Sequence, residues 1–262
     1  MESDRTELNK AESYGGSGSP VPFRQSETAG LSCVVSYTGA DGCPASISRE
    51  DLDRAFDARF PAWMKEKLAR AHVAIAGLGG LGSNIAVSLA RSGVGHLLLV
   101  DFDVVDVTNL NRQMYLIPHL GMPKTDALRQ ILSQINPWLD VQTCQIRVTP
   151  ENVRELFGDW PIVCEAFDRP DQKAMLTGTL LAQCPDTVIV SGNGMAGLGD
   201  ANDIRTQQKM SRLYICGDGE TDSAAGAGLM APRVAVCAGH QANKVLQLIL
   251  GTDNPDHDHS KG

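Results

Sequence analysis

A chain of 262 residues that is 42% hydrophobic has enough apolar side chain for one large α/β core, so one domain with tails is expected. Its formal charge of −8 argues against general nucleic-acid binding, which relies on a basic surface. No apolar run approaches a membrane span, MESDRTELNK lacks a signal peptide's apolar core, and seven cysteines are scattered without pairing, which together imply a cytoplasmic protein with reduced thiols.

Residues 1 to about 45 are rich in Ser, Gly, Glu and Thr and are expected to form a disordered N-terminal tail. The apolar patch Leu31 to Tyr37 reads as a sticky segment within it rather than a strand. Ser48 and Asp51 fit an S-x-x-[DE] cap, opening a helix with Leu52, Ala55 and Phe56 on one face. Arg54 and Arg59 follow just upstream of the core.

Val73 to Ala76 is a short apolar run of the kind buried on both faces of a sheet, and it ends in Gly77-Leu78-Gly79-Gly80-Leu81-Gly82. This GxGxxG turn lets backbone approach a phosphate while the helix opening near Ser83 points unpaired N–H groups at the anion. Ile85, Ala86, Leu89 and Ala90 recur at helical spacing. A second apolar strand, Leu97 to Val100, ends at Asp101, about 20 residues beyond the turn, where a Rossmann unit places the acid that holds a ribose hydroxyl.

A lone GxGxxG is weak evidence, because a dehydrogenase shows the same βαβ pattern. The residues that follow discriminate: Asp101-Phe102-Asp103, Asp106, Asn109-Leu110-Asn111-Arg112-Gln113 and Gly121-Met122-Pro123-Lys124 place two cations and amides just past the ribose acid. A nicotinamide needs a dry face there. Arg112 and Lys124 suit a triphosphate, whose charge must be neutralised before a nucleophile approaches the α-phosphorus.

Lys124 opens a helix with Ala127, Leu128, Ile131, Leu132 and Ile135 on its apolar face, stopped by Asn136-Pro137. Val141 to Val148 reads as a strand, Pro150 to Phe157 as a short helix and Pro161 to Phe167 as a buried strand. Asp168 then stands at a strand's carboxyl end, where open parallel sheets bind ligands, and can meet Mg²⁺ on bound phosphates. The competing reading is a helix cap, since Pro170 follows.

A helix from about Asp171 to Gln183 and a strand from Thr187 to Ser191 come next. Gly192 to Gly197 is a second literal GxGxxG, but Leu198-Gly199-Asp200-Ala201-Asn202 is too rich in turn residues to start a helix, so a surface loop is expected. Residues 204 to 216 predict antiparallel strands. Gly217 to Gly228 is small and polar, expected to be mobile, and Met230-Ala231-Pro232-Arg233 leads into a helix with Val234, Cys237, Ala238, Gln241, Val245, Leu248 and Ile249 on its apolar face. Residues 252 to 262 form a flexible C-terminal tail, whose His257 and His259 are read as part of a solvated acidic end rather than a metal site. The fold class is Rossmann-like α/β, with a mostly parallel sheet, helices on both faces and an antiparallel extension.

The runs GLGGLGS, DFDVVDVTNLNRQ, GMPK, INP and AFD resemble the ThiF/MoeB family of ubiquitin-activating-enzyme-like adenylyltransferases, over roughly residues 50 to 251. ARF, NLNRQ, CGD and APRVAVCAGHQAN look most like its short branch in thiamine synthesis. The resemblance implies ATP-dependent adenylylation of the C-terminal glycine carboxylate of a ubiquitin-like sulfur carrier protein, with Mg²⁺. It implies that Gly77, Gly79, Gly80 and Gly82 line the phosphates, that Asp101 holds the ribose, and that Asp103, Asn109 and Gln113 lie close to the nucleotide. Arg112 and Lys124 would neutralise phosphate charge, with Asp168 on the metal. A homodimer is implied, in which an N-terminal arginine, Arg59 in preference to Arg54, reaches a phosphate of the partner subunit. Gly217 to Gly228 would be the loop draped over the carrier's C-terminal tail. Many members hold a structural zinc with two CxxC pairs, but this chain has no CxxC, so no zinc is expected. Cys216 is the one reasonable thiol for capturing an activated carrier, whereas Cys237 falls on a helix's apolar face; the enzyme is expected to stop at the acyl adenylate. The alternatives are a tRNA-modifying dehydratase of the same fold and a non-catalytic nucleotide-binding scaffold.

Overall fold

The computed structural model describes residues 47–221, 226 and 228–252. The N-terminal tail with its Leu31 to Tyr37 patch, residues 253–262, and residues 222–225 and 227 within the polar stretch lie outside the described residues.

Helix α1 (Arg49–Asp57) carries the expected capping box: the Ser48 side chain accepts from the Asp51 amide and Asp51 accepts from the Ser48 amide. Helix α2 (Ala62–Ala69) was not legible in the sequence, because its apolar residues form no single stripe and only Leu68 is buried. The nucleotide-type unit then follows as β1 (His72–Ala76), α3 (Gly80–Arg91) and β2 (His96–Val100). The chain continues through α4 (Lys124–Ser133), β3 (Asp140–Cys144), α5 (Val153–Phe157), β4 (Ile162–Glu165), α6 (Pro170–Gln183) and β5 (Val188–Gly192). It ends in the hairpin β6 (Arg205–Met210) and β7 (Leu213–Gly217), then α7 (Ala231–Leu250).

The seven strands form one sheet in the order β3-β2-β1-β4-β5-β7-β6. All neighbours are parallel except β6 with β7, which is the antiparallel extension. The alternation of each strand divides the core in two. Ile75, Leu97 and Leu99 meet α3, α4 and α7 through Ile85, Leu89, Leu128, Leu132 and Val245. Ala74, Ala76, Leu98 and Val163 meet α5 and α6 through Phe157, Leu176 and Leu180 on the other face. Among the described residues no helix is long and apolar enough to cross a membrane.

Among the boundaries that differ from expectation, two bear on the site. Helix α3 starts at Gly80 rather than near Ser83, so the second half of the glycine motif is already helical. Strand β3 stops at Cys144 instead of Val148, because its neighbour β2 ends at Val100, the residue paired with Cys144; residues 146–148 have no strand to pair with and turn toward the cleft described below.

Candidate functional site

Strand order runs outward from β1 through β2 to β3 on one side and from β4 through β5 to β7 on the other. The chain therefore changes direction between β1 and β4, and a doubly wound sheet opens a crevice at the carboxyl ends of that pair. A cleft of about 360 Å³ lies there, within the usual range for small-molecule sites. It is lined by Gly77, Gly79, Gly80, Asp101, Asp103, Asn109, Arg112, Gln113, Lys124 and Asp168, residues drawn from five separate stretches of chain.

The glycine turn is built for close packing. Gly77 has φ +90°, and a Cβ on it would come within 2.9 Å of the Ala166 carbonyl oxygen, so β1 and β4 approach here only because the residue is glycine. Gly82 does not line the cleft. A Cβ on it would fall 1.8 Å from the Gly77 carbonyl oxygen, so its work is to let α3 pack onto the end of β1.

Asp101 is buried, and both carboxylate oxygens are engaged: Oδ2 accepts from the Leu78 amide at 2.6 Å and Oδ1 from the Asp103 amide at 2.9 Å. The acid thus ties the glycine turn to the end of β2 and still faces the cleft with its remaining lone pairs. Lys124, at the start of α4, is buried to 8% side-chain exposure and donates to Asp103 Oδ2 at 3.1 Å. Arg112 is held by the Thr108 carbonyl and by Asn111 Oδ1, which brings its Cγ and Nε within 3.4 and 3.5 Å of where a Gly80 Cβ would stand. Its guanidinium therefore covers the N-terminus of α3, adding a full charge to the partial positive charge already there. Asn109 Oδ1 accepts from the Asp106 amide. Gln113 is buried and its Oε1 has no partner among the described residues, an acceptor left open in the cleft wall.

Asp168 is exposed in the cleft just past β4. The N-cap of α6 is Arg169, with no side-chain cap bond, and the Asp168 carboxylate accepts no hydrogen bond from any described residue. An exposed carboxylate at this place could hold a cation together with a phosphate, since Mg²⁺ commonly takes one or two carboxylates with the substrate supplying the rest. No group of three or more metal-ligating side chains occurs among the described residues.

Arg59 and Arg54 are not in the cleft lining. Both are exposed near the α1–α2 corner, which packs at the other end of the sheet: Phe56 lies over Gly93, just before β2, and Arg54 pairs with Asp51. Cys216 is fully buried in β7, its Sγ 3.4 Å from Thr206 Oγ1, and burial pushes its thiol up to about 11. Cys237 is likewise buried, and burial pushes it up to about 12.

Sequence reasoning missed one wall. Phe102, Ile146, Arg147 and Val148 line the cleft beyond Asp101, with the Arg147 guanidinium carbon 3.9 Å from the Phe102 ring centroid. These residues follow the ends of β2 and β3, and only their meeting gives them meaning. Met195, Leu229 and Val234 form the opposite wall.

The ThiF family matches residues 52–260 of the chain. An adenylyltransferase and sulfurtransferase of Eremothecium gossypii is 30% identical over 192 residues, which cover 71% of this chain and 43% of that protein. The chain thus spans less than half of that relative's length. A molybdopterin-synthase adenylyltransferase of Haemophilus influenzae is 30% identical over 195 residues, covering 71% of this chain and 77% of that protein. The crystal structure of an E. coli tRNA N6-threonylcarbamoyladenosine dehydratase in complex with AMP is similar with a TM-score of 0.70 at 25% identity, over 79% of this chain and 98% of that one.

Proposed function

Because the chain belongs to the ThiF family, we propose that it is an ATP-dependent adenylyltransferase acting on the C-terminal glycine carboxylate of a ubiquitin-like sulfur carrier protein that ends in Gly-Gly. The observation that carries this reading is the convergence of Arg112 and Lys124 on a glycine turn whose far side, at Asp101, is fit for a ribose.

A carboxylate cannot be displaced directly by a sulfur nucleophile, because oxide is too poor a leaving group, whereas an acyl adenylate expels AMP readily. In the proposed step a carrier carboxylate oxygen attacks the α-phosphorus in line. A new P–O bond forms, the bond to the bridging oxygen breaks, and pyrophosphate leaves with the electron pair. The carboxylate is already ionised at pH 7, so no protein base is required. The chain's work is positioning and charge: the turn amides and the α3 N-terminus receive phosphate oxygens, while Arg112 and Lys124 offset the charge that builds on them. Mg²⁺ held between Asp168 and the phosphates would add neutralising charge at the same place.

A homodimer belongs to this proposal. Arg59, exposed and distant from its own cleft, is then available to the nucleotide of a second copy. The CGD and APRVAVCAGHQAN runs make a thiazole-synthesis carrier the first acceptor to test, and the molybdopterin relative makes that pathway's carrier the second.

The likeness to a tRNA-modifying dehydratase favours a second reading, adenylylation of a carboxylate on a modified nucleoside. The formal charge of −8 weighs against it, since tRNA binding draws on basic surface. ATP–pyrophosphate exchange separates the two. Exchange should require a carrier with a free C-terminal glycine and should not respond to NAD. Equal exchange with the carrier's tail deleted, or exchange driven by tRNA alone, would overturn carrier adenylylation.

A further inference from the structure

The second glycine-rich run, residues 192–199, opens no α-helix, and CGD and APR are far apart in the chain. All three meet at one buried ion pair. Arg233, in the first turn of α7, contacts Asp218, just past β7, through Nη2 and Oδ2, with side-chain exposures of 6% and 9%. Arg233 Nη1 also donates to the Asp200 carbonyl at 2.6 Å.

Asp218 does more than neutralise the arginine. Its Oδ1 accepts from the Glu220 and Thr221 amides, each at 2.9 Å, and its Oδ2 accepts from the Thr221 hydroxyl at 2.8 Å. The Thr221 hydroxyl oxygen in turn accepts from the Ala196 amide at 3.1 Å, and the Gly197 amide donates to the Gly228 carbonyl at 2.9 Å. Gly194 is what makes this approach possible. A Cβ on Gly194, at φ +84°, would fall 2.0 Å from Asp218 Oδ1, and one on Gly199 would stand 3.2 Å from Arg233 Nη1. The run is therefore a bed for the ion pair.

The pair fixes a particular wall of the cleft. In the proposed reaction, phosphates at the glycine turn and a ribose at Asp101 would direct the base toward the ends of β2 and β3 and leave the flank of the triphosphate facing β5, β7 and α7. That flank is formed by Met195, Leu229 and Val234, one residue beyond Gly194, one beyond Gly228 and one beyond Arg233. We propose that Asp218 and Arg233 are a positioning pair for the carboxylate-bearing acceptor, holding the wall along which its extended tail reaches the α-phosphorus. This rests on the adenylyltransferase reading for the identity of the acceptor, but the bracing of the wall stands apart from it.

The test uses the full chain with Asp218→Asn, which keeps acceptor oxygen and shape, and Arg233→Lys, which keeps charge but not the fork. Three quantities are measured: affinity for a fluorescent ATP analogue, the carrier KM in pyrophosphate exchange, and amide hydrogen exchange. The expected result is ATP affinity within about twofold, a carrier KM raised about tenfold or more, and faster amide exchange at residues 194–200 and 218–221 with residues 77–82 unchanged. A merely structural role would lower ATP affinity and exchange in parallel with melting temperature, and would overturn the proposal. Unchanged amide exchange at residues 194–200 would overturn it whatever the substrate. Wild-type protein silent with every carrier would instead overturn the acceptor assigned above, leaving amide exchange to decide the bracing.

Discussion

Lys124 Nζ stands 3.1 Å from Asp103 Oδ2, with the lysine side chain 8% exposed and the carboxylate 48% exposed. The cation is thus held in the cleft wall by an acid that solvent, or a bound phosphate, can partly replace. In the proposed reaction a phosphate arriving beside Lys124 would find the charge already desolvated and aimed, leaving little reorganisation for the step itself. Lys124→Ala and Arg112→Ala should each cut adenylylation by roughly 10²–10³-fold, with ATP affinity changing less. Steady-state exchange kinetics beside equilibrium ATP titration checks this; equal losses in rate and affinity would assign both side chains to ground-state binding alone.

What the sequence disclosed of this site follows from how local each signal is. The glycine turn, Asp101 and Lys124 were legible because each sits where a strand or helix begins or ends, and apolar periodicity marks those ends. Phe102 and Arg147 were not, since nothing in the spacing of residues on β2 and the segment after β3 announces that the two strands lie side by side. CGD and APR each stand out in the sequence, yet their joining as Asp218 and Arg233 depends on a hairpin and a helix returning to the same strand edge. Helix α2 escaped for a different reason: with one buried residue, it leaves no amphipathic trace.

Arg147 over Phe102 forms the flank of the cleft beyond Asp101, where the proposed nucleotide would set its base. An exposed cation–π contact contributes about 0.5–1 kcal/mol, and a planar base can use the same guanidinium surface. Arg147→Ala should therefore weaken ATP binding by about two- to fivefold with the turnover of bound ATP unaltered. A fall in kcat at saturating ATP would place Arg147 on the reacting phosphates instead.

Cys216 can be tested by alkylation and by substitution. Its thiol is fully buried and pushed up to about 11 by burial, which outweighs the Thr206 hydrogen bond and nearby Lys244, so thiolate is scarce at neutral pH. Iodoacetamide should leave it unmodified in the native protein. Cys216→Ser should hold pyrophosphate exchange and downstream thiocarboxylate formation within about twofold, as for a non-catalytic position. A reducible enzyme–carrier adduct that vanishes in this variant would instead make Cys216 a catalytic residue.

Asp218 predicts how the protein responds to acid. Burial alone would raise its carboxyl, but the Thr221 and Glu220 amides, the Thr221 hydroxyl and Arg233 outweigh it and hold the group at about 2. A depressed carboxyl contributes stability above its unfolded value near 4, and that contribution is lost as pH falls toward the folded value. The window is therefore about pH 4 down to about pH 2, and the contribution is about 2 kcal/mol. Above pH 5 the acid stays ionised in both states and adds no slope. Asp218→Asn should lower stability at pH 7 and flatten this part of the acid limb, which chemical denaturation at several pH values between 2 and 7 would measure. A variant as steep as the wild type between pH 4 and 2 would mean that other carboxylates, and not the partner of Arg233, set the acid transition.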